Sequence, residues 1–238
     1  MPTSDLDHRI DAIDWAAVAD GLDRAGHAVV PGLLPPTLCG ELARMFDEDA
    51  RFRNRVVMER HGYGQGVYRY FADPLPPPVA ALRTRLYPPL AAIANAWARR
   101  LGAAADFPDT HAAYRERCRL AGQSRPTPLL LRYGPGDYNC LHQDLYGAEI
   151  FPIQAVLLLD RPGVDFTGGE FALVEQRPRR QSKVEVVPLG QGDMALFAVR
   201  DRPAKGARGW HRVQLRHGVS PLRSGNRTTL GVIFHDAA

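Results

Sequence analysis

The sequence predicts a mainly β protein, a β-sandwich or jelly-roll barrel, with helices from its N-terminal half wrapped against it. Three observations carry this reading. After Arg125, seven short apolar runs follow one another ("TPLLLRYG", "IQAVLLLD", "EFALVEQ", "VEVVPLG", "DMALFAV", "RVQLRHGV" and "TTLGVIF"), separated by "GPGD", "RPGVDFTGG", "LGQGD" and "RSGN" rather than by helices. Before Arg125, apolar residues recur at helical spacing instead. The chain has 238 residues and is 45% hydrophobic, enough for a sizeable core.

The elements follow in order. "IDAIDWAAVADGLDRAG" reads as a helix stopped by glycine, and "AVVPGLLPP" as a short strand and turn. "PTLCGELARMFDEDA" starts a second helix at Pro36 and Thr37. "VVMERHGYGQGVYRYF" is aromatic, basic and Gly-rich, a strand–loop–strand that forms either a flap over residues 60–71 or ordinary sheet. "PVAALRTRLYPPLAAIANAWARRLG" is a long helical stretch, broken or kinked at Pro88-Pro89. "DTHAAYRERCRLAG" is a shorter helix. The expected organisation is a helical support region over 1–125 packed on a β core over 126–238, as one structural unit. No repeat or low-complexity segment interrupts it.

Composition narrows the function classes. No run approaches the ~18 apolar residues of a membrane span. The N-terminus "MPTSDLDHRIDAIDW" has no apolar signal core, so a cytoplasmic protein with no membrane partner is expected. Cys39, Cys118 and Cys140 form no CxxC, which points to a reducing compartment. Net charge is +4, unevenly spread: Gln176 to Arg216 holds ten Lys/Arg against three acids, and the first 175 residues are net negative. The basic segment is either a site for an anionic partner or a solvated face.

Chemistry concentrates in "YNCLHQDLYG". On a strand, residues two apart share a face, so His142 and Asp144 would aim at one spot. Cys140 would share that face and is expected to be a packed thiol rather than a further ligand. Two histidines and one carboxylate on one face of a metal form the open site of non-haem Fe(II) oxygen chemistry, so a distal histidine is needed. His211, His217 and His235 are available, and His217 is preferred. It ends "RVQLRHGV", and Arg227 opens the next strand ten residues later, with a permanent charge and a two-pronged match to a carboxylate.

The ordered set "RYGPGDYNCLHQD", "TGGEF", "GDMALF" and "RHGVSPLRSGNR" resembles the iron(II)/2-oxoglutarate-dependent dioxygenases, on the prolyl-hydroxylase-like side. "GHAVVPGLLPPTLCGELARMF" is similar to the opening of that superfamily, so the likeness covers roughly residues 25–50 and 125–236. It implies a double-stranded β-helix of the jelly-roll type, with Fe(II) on His142, Asp144 and His217 and 2-oxoglutarate on Arg227. O2 would be the oxidant and ascorbate a reductant. Tyr133 stands where relatives use a tyrosine near the co-substrate. Where some relatives have a tyrosine or threonine on the strand after His–x–Asp, this chain offers Gln154, which either faces inward to the co-substrate or substrate or sits at the rim.

Two macromolecular substrates fit the resemblance. A similar bacterial oxygenase group is proposed to act on alkylated DNA, which implies oxidative demethylation of nucleic acid, with Tyr68, Arg69 and Tyr138 as candidate substrate contacts. Known alkylated-base demethylases, however, place their co-substrate arginines further past the distal histidine, where this chain has Phe234. The ten-residue spacing fits a prolyl or other peptidyl hydroxylase better. Outside the enzymes, a cupin-like module with a structural metal is the remaining reading.

Overall fold

The computed structural model describes residues 3–104, 106–177, 179–207 and 209–238. Arg208, counted above in the basic segment, lies outside them. In chain order the elements are α1 (Thr3–Asp11), α2 (Trp15–Ala25), β1 (His27–Val30), α3 (Pro36–Arg44), β2 (Phe52–Val57), β3 (Gly64–Gln65), β4 (Val67–Phe71), α4 (Pro77–Arg100) and α5 (His111–Leu120). There follow β5 (Leu129–Tyr133), β6 (Tyr138–His142), β7 (Ile153–Leu158), β8 (Phe166–Gly168), β9 (Phe171–Gln176), β10 (Lys183–Val187), β11 (Met194–Ala198), β12 (Asp201–Gly206), β13 (Gly209–Val219), β14 (Leu222–Gly225) and β15 (Arg227–Val232).

Two antiparallel sheets face each other. One runs β1-β11-β7-β15-β5-β4-β2; the other runs β10-β9-β13-β6-β3, with β12 paired to the start of β13. Eight of these strands, β5, β7, β11 and β15 in the first sheet and β6, β9, β10 and β13 in the second, make the double-stranded β-helix arrangement, the chain changing sheet at each step except the β9–β10 hairpin. The seven runs expected to be strands are strands. The short strand expected in "AVVPGLLPP" is β1, which extends one edge of the first sheet, and the expected strand–loop–strand supplies β2 and β4, which extend the other.

Periodicity explains which face goes where. In β15, Arg227 and Thr229 face the space between the sheets, while Leu230 and Val232 join the core beneath the helices. β15 is therefore buried on both faces. Leu82, Leu86, Leu90, Ala94 and Trp97 of α4 bury the same stripe of helix in that core.

Three local expectations are corrected. The first helical stretch is two helices, because Asp14 caps a new one by accepting from the Ala17 N–H at 3.0 Å. The long helix is not broken at Pro88 and Pro89, the first of the two outcomes expected there; tertiary burial of its apolar face outweighs the two lost backbone hydrogen bonds. Cys140 is exposed, since β6 is flanked on its outer side only by the two-residue β3; Cys39 and Cys118 are buried free thiols.

The C-terminus is clamped from inside. Arg83, 1% exposed, donates to the carbonyls of Ile233, Phe234 and His235 and pairs with Asp236 at 2.6 Å. Arg83→Met removes one of the two arginines paired with buried Asp236, Arg115 remaining at 2.9 Å, and leaves the three carbonyls without their donor; stability should fall by about 1–3 kcal/mol, read as a fall in the urea midpoint, and an unchanged midpoint would contradict the clamp. Burial lowers the pKa of His111 and of His235 to about 4, against 6.5 unfolded. Both rings are neutral in the fold. Their stabilisation is complete above pH 6.5 and is lost as pH falls toward 4, because the unfolded chain then binds protons that the folded chain refuses. The unfolding midpoint should drop between pH 7 and pH 5, and His111→Gln should flatten that drop.

Candidate metal centre

Pairing register builds the site. On the second sheet His217 of β13 lies directly opposite His142, the last residue of β6, and their rings are 4.1 Å apart. Asp144 is not on the strand as expected; the chain has left the ladder after His142, and side-chain contacts hold the carboxylate instead. His142 Nε2 lies 3.5 Å from Asp144 Oδ1, and His217 Nε2 lies 3.2 Å from Asp144 Oδ2. The three residues offer ligand atoms within 4.8 Å of one another, forming a two-histidine, one-carboxylate triad. His211 is exposed on the β12–β13 hairpin, and His235 is buried where it accepts from the Phe151 N–H, so neither joins the triad.

The donor set suits a divalent metal. His142 Nδ1 sits 2.8 Å from the Cys140 carbonyl, which can only accept, so Nδ1 carries the hydrogen and the Nε2 lone pair is left for the site. Burial opposes the Asp144 charge, but the two histidines outweigh it and hold the carboxyl well below its usual range. Asp144 is thus an anion. Burial likewise opposes charge on His142, yet Asp144 beside it raises its pKa; at His217 burial and the neighbouring His142 lower it. One anion and two imidazole nitrogens on one side, with the other side open to a cavity, match the facial triad of non-haem Fe(II) sites, and a bound metal would displace the proton that Asp144 favours on His142.

Both carboxylate oxygens are restrained by neutral donors. Gln154 Nε2 donates to Oδ2 at 2.7 Å, and the Tyr146 hydroxyl donates to Oδ1 at 2.5 Å. Burial and the Asp144 charge push the Tyr146 pKa well up, which keeps its proton in place. Gln154 faces inward, not to the rim, and its amide reaches the triad itself. Tyr146 was missed in the sequence; its one signal is that it stands two residues beyond Asp144.

The triad opens on a cavity of about 360 Å³ between the sheets. Met58, Tyr63, Tyr68, Tyr70, Leu129 and Leu131 form much of its apolar wall, and its charged groups are the triad and Arg227. Arg227 is 2% exposed, directly opposite Tyr133 in register, with its guanidinium 5.7 Å from the centre of that ring. Among the described residues nothing accepts a hydrogen bond from it, and its Nη1 is buried without a partner. Gly169 is required beside it: its φ is +63°, and a Cβ there would stand 2.9 Å from Arg227 Cδ.

The remaining expected contacts divide. Tyr133 is fully buried in the cavity wall and accepts from Asn139 at 3.3 Å; Tyr68 lines the cavity. Arg69 and Tyr138 do not line it. Alternation along β4 turns Tyr68 and Tyr70 inward and Arg69 outward, where it donates to the Phe46 carbonyl and pairs with Asp49. Tyr138 is half-buried at the β3 pairing. The residues 60–71 expected as a flap or sheet are partly sheet: β3 pairs with β6, and a Cβ on Gly64 would meet the Tyr138 carbonyl at 2.3 Å. No described member of the basic segment lines the cavity; Arg177, Lys183 and Arg202 line a separate cleft of about 660 Å³ beside α2 and β1.

Carboxylate restraint of this kind supports metal affinity. Tyr146→Phe and Gln154→Leu should each weaken Co(II) or Fe(II) binding about 10- to 100-fold in anaerobic calorimetry, and Asp144→Ala should abolish it. Wild-type affinity in both of the first two variants would show that the restraints are idle.

Comparison with known proteins agrees with the geometry. A family model described as "Oxygenase, catalysing oxidative methylation of damaged DNA" matches residues 66–237. The uncharacterized protein Rv2227 of Mycobacterium tuberculosis is 49% identical over 191 residues, 78% of this chain and 82% of that protein. A prolyl-4-hydroxylase of Pseudomonas putida shares the fold at 18% identity and a TM-score of 0.51, over 91% of this chain and 96% of that one. A Burkholderia pseudomallei oxidoreductase of the 2OG-Fe(II) oxygenase family does so at 19% identity and a TM-score of 0.51, over 95% and 94%. A Trichoplax adhaerens prolyl hydroxylase, solved with a hypoxia-inducible-factor peptide, does so at 14% identity and a TM-score of 0.53, over 99% and 94%. No helix among the described residues is long and apolar enough to cross a membrane. With its triad and this family match, the chain belongs to the Fe(II)/2-oxoglutarate-dependent oxygenases, in the family so described.

Proposed function

We propose that this oxygenase hydroxylates N-alkyl groups on damaged nucleic-acid bases, using 2-oxoglutarate held by Arg227. The observation that carries the co-substrate assignment is the buried guanidinium without an acceptor in the same cavity as the triad. A carboxylate of 2-oxoglutarate supplies the missing acceptor in two-pronged form. Tyr133 backs the guanidinium. His142, Asp144 and His217 would hold Fe(II), which with 2-oxoglutarate and O2 supplies the oxidising power for C–H hydroxylation; ascorbate would keep the iron reduced. Gln154 and Tyr146 fix the carboxylate orientation, and the apolar wall keeps water from the reacting C–H bond.

The base assignment rests on the family match over residues 66–237 and on the character of the wall. Tyr68, Tyr70 and Tyr146 stand edge to face in sequence, at 5.4 and 6.4 Å between centroids. Flat aromatic surfaces suit a base taken out of its stack. The overall reaction converts an N-methyl group, 2-oxoglutarate and O2 into an N-hydroxymethyl group, succinate and CO2. The N-hydroxymethyl product then releases formaldehyde. A second reading, peptidyl hydroxylation, is favoured by the position of Arg227 ten residues after His217.

Succinate and formaldehyde release across N-methylated oligonucleotides and proline-rich peptides separates the two. Turnover with methylated strands, yielding formaldehyde, is expected. Succinate coupled to peptide without formaldehyde would replace this function with the second.

A further inference from the structure

We infer that His61 and Tyr63 form a stacking platform at the mouth of the cavity for an unpaired base next to the one being oxidised, so that the substrate is single-stranded nucleic acid rather than a free nucleoside. This rests on the function proposed above. The two rings are stacked on each other, 5.3 Å between centroids with 21° between planes. Tyr63 also lines the cavity, which places the pair at its rim. His61 is exposed and half of the Tyr63 surface is open. Neither ring makes a side-chain hydrogen bond among the described residues. A stacked pair serving only the core would be buried; this one presents π-surface to solvent.

The platform is ordered before any ligand arrives. The Tyr63 N–H donates to the Met58 carbonyl at 3.2 Å, and the Cys140 N–H donates to the Tyr63 carbonyl at 2.9 Å. Met58 is 1% exposed and anchors the start of the loop, while β3 pairs with β6 immediately after Tyr63. Pre-ordering lowers the entropic cost of stacking. Leu141, 44% exposed, lies on the same rim and adds apolar surface. Charge is complementary to a phosphate backbone: Arg60 adjoins the pair, is exposed, and has no ion-pair partner among the described residues. Glu59 is the single acid of the loop from Met58 to Gly66. Each base has a flat face of ring size, so the platform reads single-strandedness and not sequence. A base held in a duplex is already stacked and paired.

The test compares one N-methylated base offered as a free nucleoside and within a five-nucleotide single strand, with a fluorescent purine analogue beside the methylated base. Wild type should prefer the strand and quench the analogue on binding. His61→Ala and Tyr63→Ala should each lower the strand-to-nucleoside ratio of kcat/KM about tenfold and relieve the quenching; Tyr63→Trp should restore both. A misfolded variant would depress both substrates and leave the ratio alone. An unchanged ratio and unchanged quenching, in an enzyme that acts on strands, would overturn the platform and leave the proposed function standing. Wild-type turnover of peptide and of neither nucleic-acid form would overturn both.

Discussion

The burial of Arg227 is the constraint on which the site depends. Its strand, β15, is packed between the cavity and the helix layer, so a side chain on the cavity-facing register cannot reach bulk water. A guanidinium buried without an acceptor costs several kcal/mol. The fold tolerates that cost through Tyr133 in the opposite strand position and through the space left by Gly169. At the other side of the cavity Asp144 is an anion that faces the His142 and His217 imidazoles. One cavity therefore has room for an anion at one end and for a metal at the other. A chelating dicarboxylate bound to a divalent metal satisfies both.

Each sheet contributes one opposed pair to this arrangement: Arg227 with Tyr133 on the first, His217 with His142 on the second. The rest of the molecule holds the two pairs in place. The α2, α3 and α4 helices pack on the first sheet, the Arg83 clamp fixes the chain just beyond β15, and β3 and β4 carry the N-terminal half from one sheet to the other beside the mouth. The same crossing brings Tyr63, Tyr68 and Tyr70 to the cavity, which is how an N-terminal segment outside the eight-stranded core comes to shape the substrate space.

Much of the metal centre was legible because its members are tied to local pattern. His142 and Asp144 are two residues apart, and His217 and Arg227 are ten apart, near the end of β13 and at the start of β15. The strand runs were legible for the same reason, although alternation in "IQAVLLLD" left open whether the face carrying Gln154 turned inward or to the rim. What pattern could not supply was contact across the fold. Asp144 owes its position to Tyr146 and Gln154 rather than to the strand ladder, and the exposure of Cys140 depends on how short its neighbouring strand is. Arg69 is a different case. Its outward direction follows from alternation with Tyr68 and Tyr70, so the basic, aromatic character of that run was a poorer guide than its period. Pro88 and Pro89 show local propensity overridden by packing along the whole helix.

The central claim is that the triad and Arg227 form one site for Fe(II) and 2-oxoglutarate. The most direct measurement is an anaerobic titration of the Fe(II)-loaded protein with 2-oxoglutarate, followed by the weak visible charge-transfer band of the chelated co-substrate. Wild type should develop the band. Arg227→Ala should develop the same band only at about 100-fold higher 2-oxoglutarate, a loss in the range of one charge-assisted, two-pronged hydrogen-bonded pair. No band in the wild type, or superimposable titrations of wild type and Arg227→Ala, would contradict the claim.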